Sequence, residues 1–140
     1  MSNSPQYELN GTATQEKRIP VTAEISSEQL AHGIAEAADD KKASDIVLLK
    51  VSEISYLADY FIVATGFSAT QVKAICDSIE EQIEAKYQLI PLRVQGKTDG
   101  RWVVVDYGEV IVHIFMQEER EYYNLEAFWG HAERIEFSAT

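Results

Sequence analysis

Two short, nearly uninterrupted apolar runs, residues 45–51 and 60–65, constrain the fold of this chain more than any other feature. Both are of strand length, and neither shows the apolar–polar alternation of a strand that has one face in water. We therefore predict two central strands that are buried on both faces. Such a sheet needs other elements packed on it, which indicates an α/β (α+β) fold.

Two amphipathic helices are predicted next to these strands. The first begins near Thr22 or Ser26, and the spacing of Ser26 and Gln29 is that of a capping box. The second begins after Ser68, with Gln71 at the same spacing. Each helix carries one apolar stripe, formed in the first by Leu30, Ile34, Ala37 and Ala38 and in the second by Val72, Ile75, Cys76, Ile79 and Ile83.

The clearest hairpin comprises residues 102–106 and 109–115, which are rich in β-branched and aromatic side chains. Tyr107 and Gly108 are predicted to form its two-residue turn. A short strand at 92–95 precedes it. The order α-β-β-α-β-β-β-α predicts a mixed β-sheet of about five strands packed by helices.

The chain is predicted to form one domain over residues 22–137, with one or two short helices within 117–129 lying against the sheet. Residues 1–21 are polar and without periodicity, which is typical of a disordered tail. No apolar run approaches the roughly 20 residues that span a bilayer, and no signal peptide is recognisable. The single cysteine, Cys76, is consistent with a reducing compartment, so we expect a cytoplasmic protein without membrane association.

The predicted turn places Asp106 opposite Glu109 and Trp102 opposite His113. Because side chains alternate along a strand, the hairpin has two different faces. One is wholly aliphatic and suits a core: Val103, Val105, Val110, Val112 and Ile114. The other mixes aromatic, aliphatic and acidic groups: Trp102, Val104, Asp106, Glu109, Ile111, His113 and Phe115. This second face is either a protein-binding surface or a face that the C-terminal helices cover, and spacing alone leaves both open.

The net charge of −11, from 23 acidic and 12 basic side chains, favours a basic protein partner. Such a surface repels phosphate, so direct nucleic-acid binding is not expected as the main activity. Residues 117–136 add to the negative field with six acidic and two basic side chains. Among them stand four aromatic residues, of which Trp129, with Leu125 at i, i+4 spacing, is expected to contact the core.

The sequence contains few candidate catalytic groups. Cys76 lies on the apolar stripe of a helix, and the three histidines lack the spacing of a metal site. Ser68 follows a strand in the manner of a nucleotide site, but no pair of carboxylates at alternate strand positions follows it. We therefore expect no catalytic residues, no metal and no cofactor, and interpret Ser68 as a helix cap.

Several ordered segments resemble the signatures of the ribosomal silencing factors, also called RsfS or Iojap-like proteins. They are residues 59–66 with 68–75, residues 91–96, residues 102–115 and residues 120–129. The resemblance covers roughly residues 28 to 129. Departures include Gln95, Arg101, Glu109 and Gln117, where other residue types are commoner in the family.

The resemblance implies a fold related to nucleotidyltransferases but without their metal-binding carboxylates. It implies that the free protein is a homodimer. It also implies binding to the large ribosomal subunit through its ribosomal protein numbered fourteen. Bound there, such a protein sterically blocks joining with the small subunit and represses translation under nutrient limitation. The implied partner-binding surface, with Glu109 added from the mixed face derived above, comprises Trp102, Asp106, Tyr107, Glu109, His113, Phe115, Glu118, Arg120 and Tyr123.

Two other functions remain open at this stage. A factor for assembly of the large ribosomal subunit would use the same surface, as the resemblance implies for related organelle proteins. A divergent nucleotidyltransferase belongs to a different class. Binding of nucleotide or Mg²⁺ would favour it, and the missing carboxylate pair argues against it.

Overall fold

A computed structural model describes residues 25–138 of the chain. The predicted tail, residues 1–21, and the alternative cap Thr22 lie outside this range. Within it, the helices are α1 (Ser27–Asp40), α2 (Ala69–Tyr87), α3 (Gln117–Tyr123) and α4 (Leu125–Phe128). The strands are β1 (Ser44–Lys50), β2 (Tyr60–Gly66), β3 (Arg93–Gln95), β4 (Trp102–Asp106), β5 (Val110–Met116) and β6 (Glu133–Glu136). No helix of this part of the chain is long and apolar enough to cross a bilayer.

The six strands form one mixed sheet in the order β3-β4-β5-β2-β1-β6. Strands β2 and β5 are parallel, and every other neighbouring pair is antiparallel. The two apolar runs are confirmed as inner strands, and every residue of β2 is buried. The sheet has one strand more than the five recognised in the sequence. β6 escaped recognition because this four-residue edge strand contains one apolar residue, Ile135.

Helices α1 and α2 cover one face of the sheet and enclose the main core. Both predicted N-cap residues are confirmed, but of the two predicted capping boxes only that of α1 forms. The Ser26 hydroxyl accepts from the Gln29 amide at 3.0 Å, and the Gln29 side chain accepts from the Ser26 amide at 2.9 Å. At α2 the Ser68 hydroxyl accepts from the Gln71 amide, while the Gln71 side chain accepts from the Phe67 amide. Each cap satisfies donors that the first helical turn leaves free.

The hairpin is present, but its predicted cross-strand pairing is wrong by two residues. Gly108 and Glu109 form the loop, and the Tyr107 amide donates to the Val110 carbonyl at 2.9 Å. Gly108 has φ +92° and stands first in the loop, the arrangement of a type II′ turn. The predicted turn would have put Tyr107, rather than glycine, at a position that favours positive φ.

Trp102 therefore lies opposite Phe115 instead of His113, Asp106 lies opposite Ile111, and Val104 lies opposite His113. Because the register changes by two residues, every side chain stays on its predicted face. The five aliphatic residues of the first face have no exposed surface and pack under α1 and α2: Val103, Val105, Val110, Val112 and Ile114.

The opposite face of the sheet carries a second, smaller core. Its buried residues include Val47, Leu49, Phe61, Val63 and Phe115. The C-terminal segment (residues 117–136) returns across this face, and its two short helices confirm the expected helical region. Leu125 and Trp129 pack against this core, as their spacing predicted.

Candidate partner-binding surface

A row of aromatic rings crosses the second face of the sheet. The Trp102 ring stacks on Phe115, with 4.9 Å between centroids, and contacts Tyr123 at 4.6 Å. The imidazole of His113 lies 5.5 Å from Phe61 in an edge-to-face arrangement. Phe61 in turn meets Trp129 at 5.0 Å. Adjacent strands thus place one continuous aromatic group beneath the C-terminal segment.

The C-terminal segment covers part of this face and leaves part of it open. Phe115 has no exposed surface and His113 is 9% exposed. Trp102, Val104, Asp106 and Ile111, in contrast, are half-buried. We call these four residues, together with the exposed side chains of Glu109, Glu118 and Tyr123, the open hairpin surface. It combines a large aromatic anchor with aliphatic and acidic neighbours.

His113 is held in its neutral form by its surroundings. Burial lowers the pKa of its imidazole to about 4. The Trp102 indole N–H donates to His113 Nδ1 at 3.1 Å. A neutral imidazole that accepts on Nδ1 carries its proton on Nε2, so this bond selects one tautomer.

Tyr107 lies at the turn but does not face the open hairpin surface. Its half-buried ring packs against the core on the helical side of the sheet. Burial, with the negative charge of Glu80, raises the pKa of its phenol above the usual range. Its hydroxyl is enclosed and has no hydrogen-bond partner among residues 25–138. The sequence placed Tyr107 outside the strand alternation, and its side chain follows the aliphatic face.

Arg120 is nearly enclosed, with 9% of its surface exposed. Its guanidinium forms a fork with Glu126, with both N···O distances at 3.0 Å. Its Nη1 also donates to the Asp45 carbonyl at 2.7 Å and to the Thr65 hydroxyl at 2.8 Å. Arg120 lowers the pKa of the Glu126 carboxyl, and Arg134 adds to this effect. Through these hydrogen bonds Arg120 links α3 to α4 and to two strands of the sheet.

Two ion pairs reduce the charge beside the surface. Arg101 contacts Glu119 at 3.0 Å, and Arg93 on β3 lies 3.8 Å from Asp106. The Arg101 guanidinium is thereby bound to a carboxylate of α3. Glu109 in the hairpin loop and Glu118 on α3, just after β5, are both exposed. The open hairpin surface therefore keeps acidic groups at both ends of the hairpin.

Sequence reasoning missed one contributor to this aromatic group. Phe61 was predicted as a strand residue, yet its ring joins Trp129 to His113. The loop between β1 and β2 separately exposes Tyr56 and Leu57, which no periodic pattern marks.

Groups that could support catalysis are dispersed in this structure. Among residues 25–138, no three histidine, cysteine, aspartate or glutamate side chains are grouped so as to hold a metal ion. Cys76 is buried, and burial together with Glu80 raises the pKa of its thiol to about 12, far from the reactive thiolate. A polar groove of about 560 Å³ lies beside Arg120 and Arg134, but both guanidinium groups are paired with Glu126.

Relatives of this chain carry regulatory names. The model of the family described as "Ribosomal silencing factor during starvation" matches residues 24–140. A ribosomal silencing factor of Halalkalibacterium halodurans is 40% identical over 117 residues, which cover 80% of this chain and 95% of that protein. One from Bacillus subtilis is 45% identical over 98 residues, covering 70% and 82%. The chloroplastic protein Iojap of Arabidopsis thaliana is 38% identical, and the match covers 82% of this chain and 49% of that longer protein.

Solved structures agree with the fold. A crystal structure of a Chromobacterium violaceum protein has a TM-score of 0.72 and 34% identity, covering 83% of this chain and 95% of that one. A second, from Bacillus halodurans, has a TM-score of 0.69 and 35% identity, covering 79% and 99%. From the family match over all described residues and these relatives, the chain belongs to the ribosomal silencing factor (RsfS, Iojap-like) family.

Proposed function

We propose that this chain binds the large ribosomal subunit through its ribosomal protein numbered fourteen and sterically blocks joining with the small subunit. The observation that carries the proposal is the half-exposed Trp102, supported from below by Phe115 and flanked by Tyr123. Rigid aromatic anchors of this kind contribute most to binding at protein interfaces. The family description, which names silencing during starvation, supplies the biological setting.

The residues of the proposed surface divide into contacts and supports. Trp102, Asp106, Glu109, Glu118 and Tyr123 have the exposure that direct contact requires. Their acidic members, within a chain of net charge −11, favour a basic protein partner over direct nucleic-acid binding. We assign supporting roles to the other members. His113, Phe115 and Arg120 are buried, and the half-buried Tyr107 packs on the helical side of the sheet.

Steric inhibition of subunit joining requires a bound domain and no catalytic group. A bound domain of this size that covers an interface of about 1,200–2,000 Å² would exclude a second large partner from the same place. We propose further that the chain acts in the cytoplasm, that it is a homodimer when free, and that it represses translation when nutrients are limited.

The proposal is tested by sedimenting the purified protein with isolated large ribosomal subunits. We expect co-sedimentation of the unaltered chain. Trp102→Ala should weaken binding by about 2 kcal/mol or more, roughly 30-fold, because a central aromatic anchor is lost. His32→Ala, an exposed ring on α1 across the sheet from the proposed surface, is the matched control and should bind normally.

Circular dichroism of each variant separates loss of binding from loss of folding. Failure of the unaltered chain to co-sediment at moderate salt would refute the ribosomal proposal. Binding by the folded Trp102→Ala variant at unchanged affinity would instead remove the open hairpin surface from it.

A further inference from the structure

The indole N–H of Trp102 points into the protein, whereas part of the ring faces solvent. Its acceptor is His113 Nδ1 at 3.1 Å on the neighbouring strand. His113 is 9% exposed, so it offers almost no surface of its own to a partner. The two residues are not directly opposite each other, because Trp102 pairs with Phe115 and His113 pairs with Val104. The bond therefore runs diagonally between β4 and β5.

An indole N–H is only a donor, so it needs an acceptor wherever it becomes buried. A partner that covered Trp102 would remove the remaining water from the ring. A donor left unpaired in such an interface weakens binding, and so does a side chain that must be immobilised on association. The diagonal bond satisfies the donor and fixes the ring before any partner arrives.

We propose that His113 is a positioning residue, which holds the Trp102 indole in its binding orientation through the Nδ1 acceptor of one neutral tautomer. This inference rests on the proposed function and assigns His113 a role distinct from direct contact. The imidazole lies against Phe61, Trp102 and Phe115. The rings of these neighbours do not distinguish the two imidazole nitrogens. The indole N–H does, because it donates to Nδ1 and so makes Nδ1 the acceptor.

Aromatic packing alone is the competing explanation, since Phe115 and Tyr123 also touch the Trp102 ring. Two substitutions distinguish the effect of the hydrogen-bond acceptor on His113 from the effect of its ring packing. His113→Leu fills comparable apolar space and removes the acceptor. His113→Asn loses ring area but keeps an amide oxygen at nearly the place of Nδ1. We expect the leucine variant to bind large subunits on the order of 10-fold more weakly, and the asparagine variant to recover much of that loss.

The free protein supplies a readout that general loss of packing would not reproduce. The chain has two tryptophans, so two indole N–H signals are expected by nitrogen–proton NMR, and Trp102→Phe assigns them. In His113→Leu the Trp102 signal should shift and its hydrogen exchange should accelerate, whereas the Trp129 signal should keep its position. In the unaltered protein, long-range nitrogen–proton spectra should show His113 protonated on Nε2 at neutral pH.

A proton on Nδ1 in the unaltered protein would overturn the proposal, even if every variant failed to fold. So would a folded His113→Leu variant that kept both its Trp102 signal and its affinity within about twofold. If the unaltered chain fails to bind large subunits, the proposed function falls. The two NMR measurements then still decide whether His113 fixes the indole.

Discussion

Replacing Arg120 with methionine should destabilise the fold strongly, because Arg120 links three distant parts of the chain. The side chain forms a two-bond fork with Glu126 and donates to Asp45 and Thr65. Removing one partner from a buried pair costs about 3–5 kcal/mol. Arg134 remains 2.8 Å from Glu126 and compensates in part, so we expect a loss of about 3 kcal/mol in the free energy of unfolding.

Urea unfolding at pH 7, followed by circular dichroism, measures this loss. Arg101→Met is the matched control, since Arg101 is exposed and pairs with Glu119 at the surface. Its cost should remain below about 1 kcal/mol. The double variant Arg120→Met, Glu126→Met should recover part of the lost free energy of unfolding. In it, no Glu126 carboxylate remains that lacks its two hydrogen bonds from Arg120.

The pH dependence gives a second check. Arg120 lowers the pKa of the Glu126 carboxyl, so this contribution is complete above the unfolded pKa and is lost as pH falls through the folded value. The difference between the unaltered chain and Arg120→Met should therefore shrink in acid. Equal unfolding midpoints for Arg120→Met and Arg101→Met at pH 7 would refute the claim that the hydrogen bonds of Arg120 stabilise the fold.

Three further outcomes are expected. Gly96→Ala should lower the free energy of unfolding by on the order of 1–3 kcal/mol, because Gly96 has φ +87° and an added Cβ would collide with the Trp102 carbonyl. In the control Gly130→Ala, the added Cβ meets the Ala127 carbonyl oxygen at an ordinary contact distance of 3.5 Å, so the free energy of unfolding should change little. Cys76 should react with a thiol reagent at pH 8 only after unfolding, since its thiol is buried with a pKa of about 12; rapid labelling of the native protein would contradict this. The pKa of His113 is lowered to about 4, so the unfolded chain takes up its proton first and stability should fall by up to about 3 kcal/mol as pH drops from 6.5 towards 4. Urea unfolding across that range should show a smaller slope for His113→Asn, and equal slopes would contradict the buried neutral state.

The sequence was most informative where a pattern is set by neighbours along the chain. Continuous apolar runs gave the inner strands, and Ser–Gln spacing gave both helix caps. Alternation sorted the hairpin residues onto the correct faces despite the wrong turn, because a shift of two residues preserves parity. The cross-strand pairing itself could not be fixed in this way, because glycine fits either position of the two-residue loop until its φ is known.

Burial at the surface depended instead on residues far apart in sequence. Phe115 and Arg120 were both chosen as partner-binding residues, but the returning C-terminal segment encloses them. Arg120 reaches Thr65 and Asp45 across the sheet, contacts that no local periodicity encodes. Tyr107 likewise turns towards the helical core because the loop begins one residue later than predicted.

The proposed block of subunit joining is tested most directly by light scattering after small and large ribosomal subunits are mixed. Large subunits are first incubated with the protein at a concentration that saturates binding in sedimentation. We expect the rise in scattering to be reduced in proportion to occupancy, and to be restored when folded Trp102→Ala replaces the unaltered chain at the same concentration. Normal joining by large subunits that are saturated with the unaltered protein would contradict the proposal.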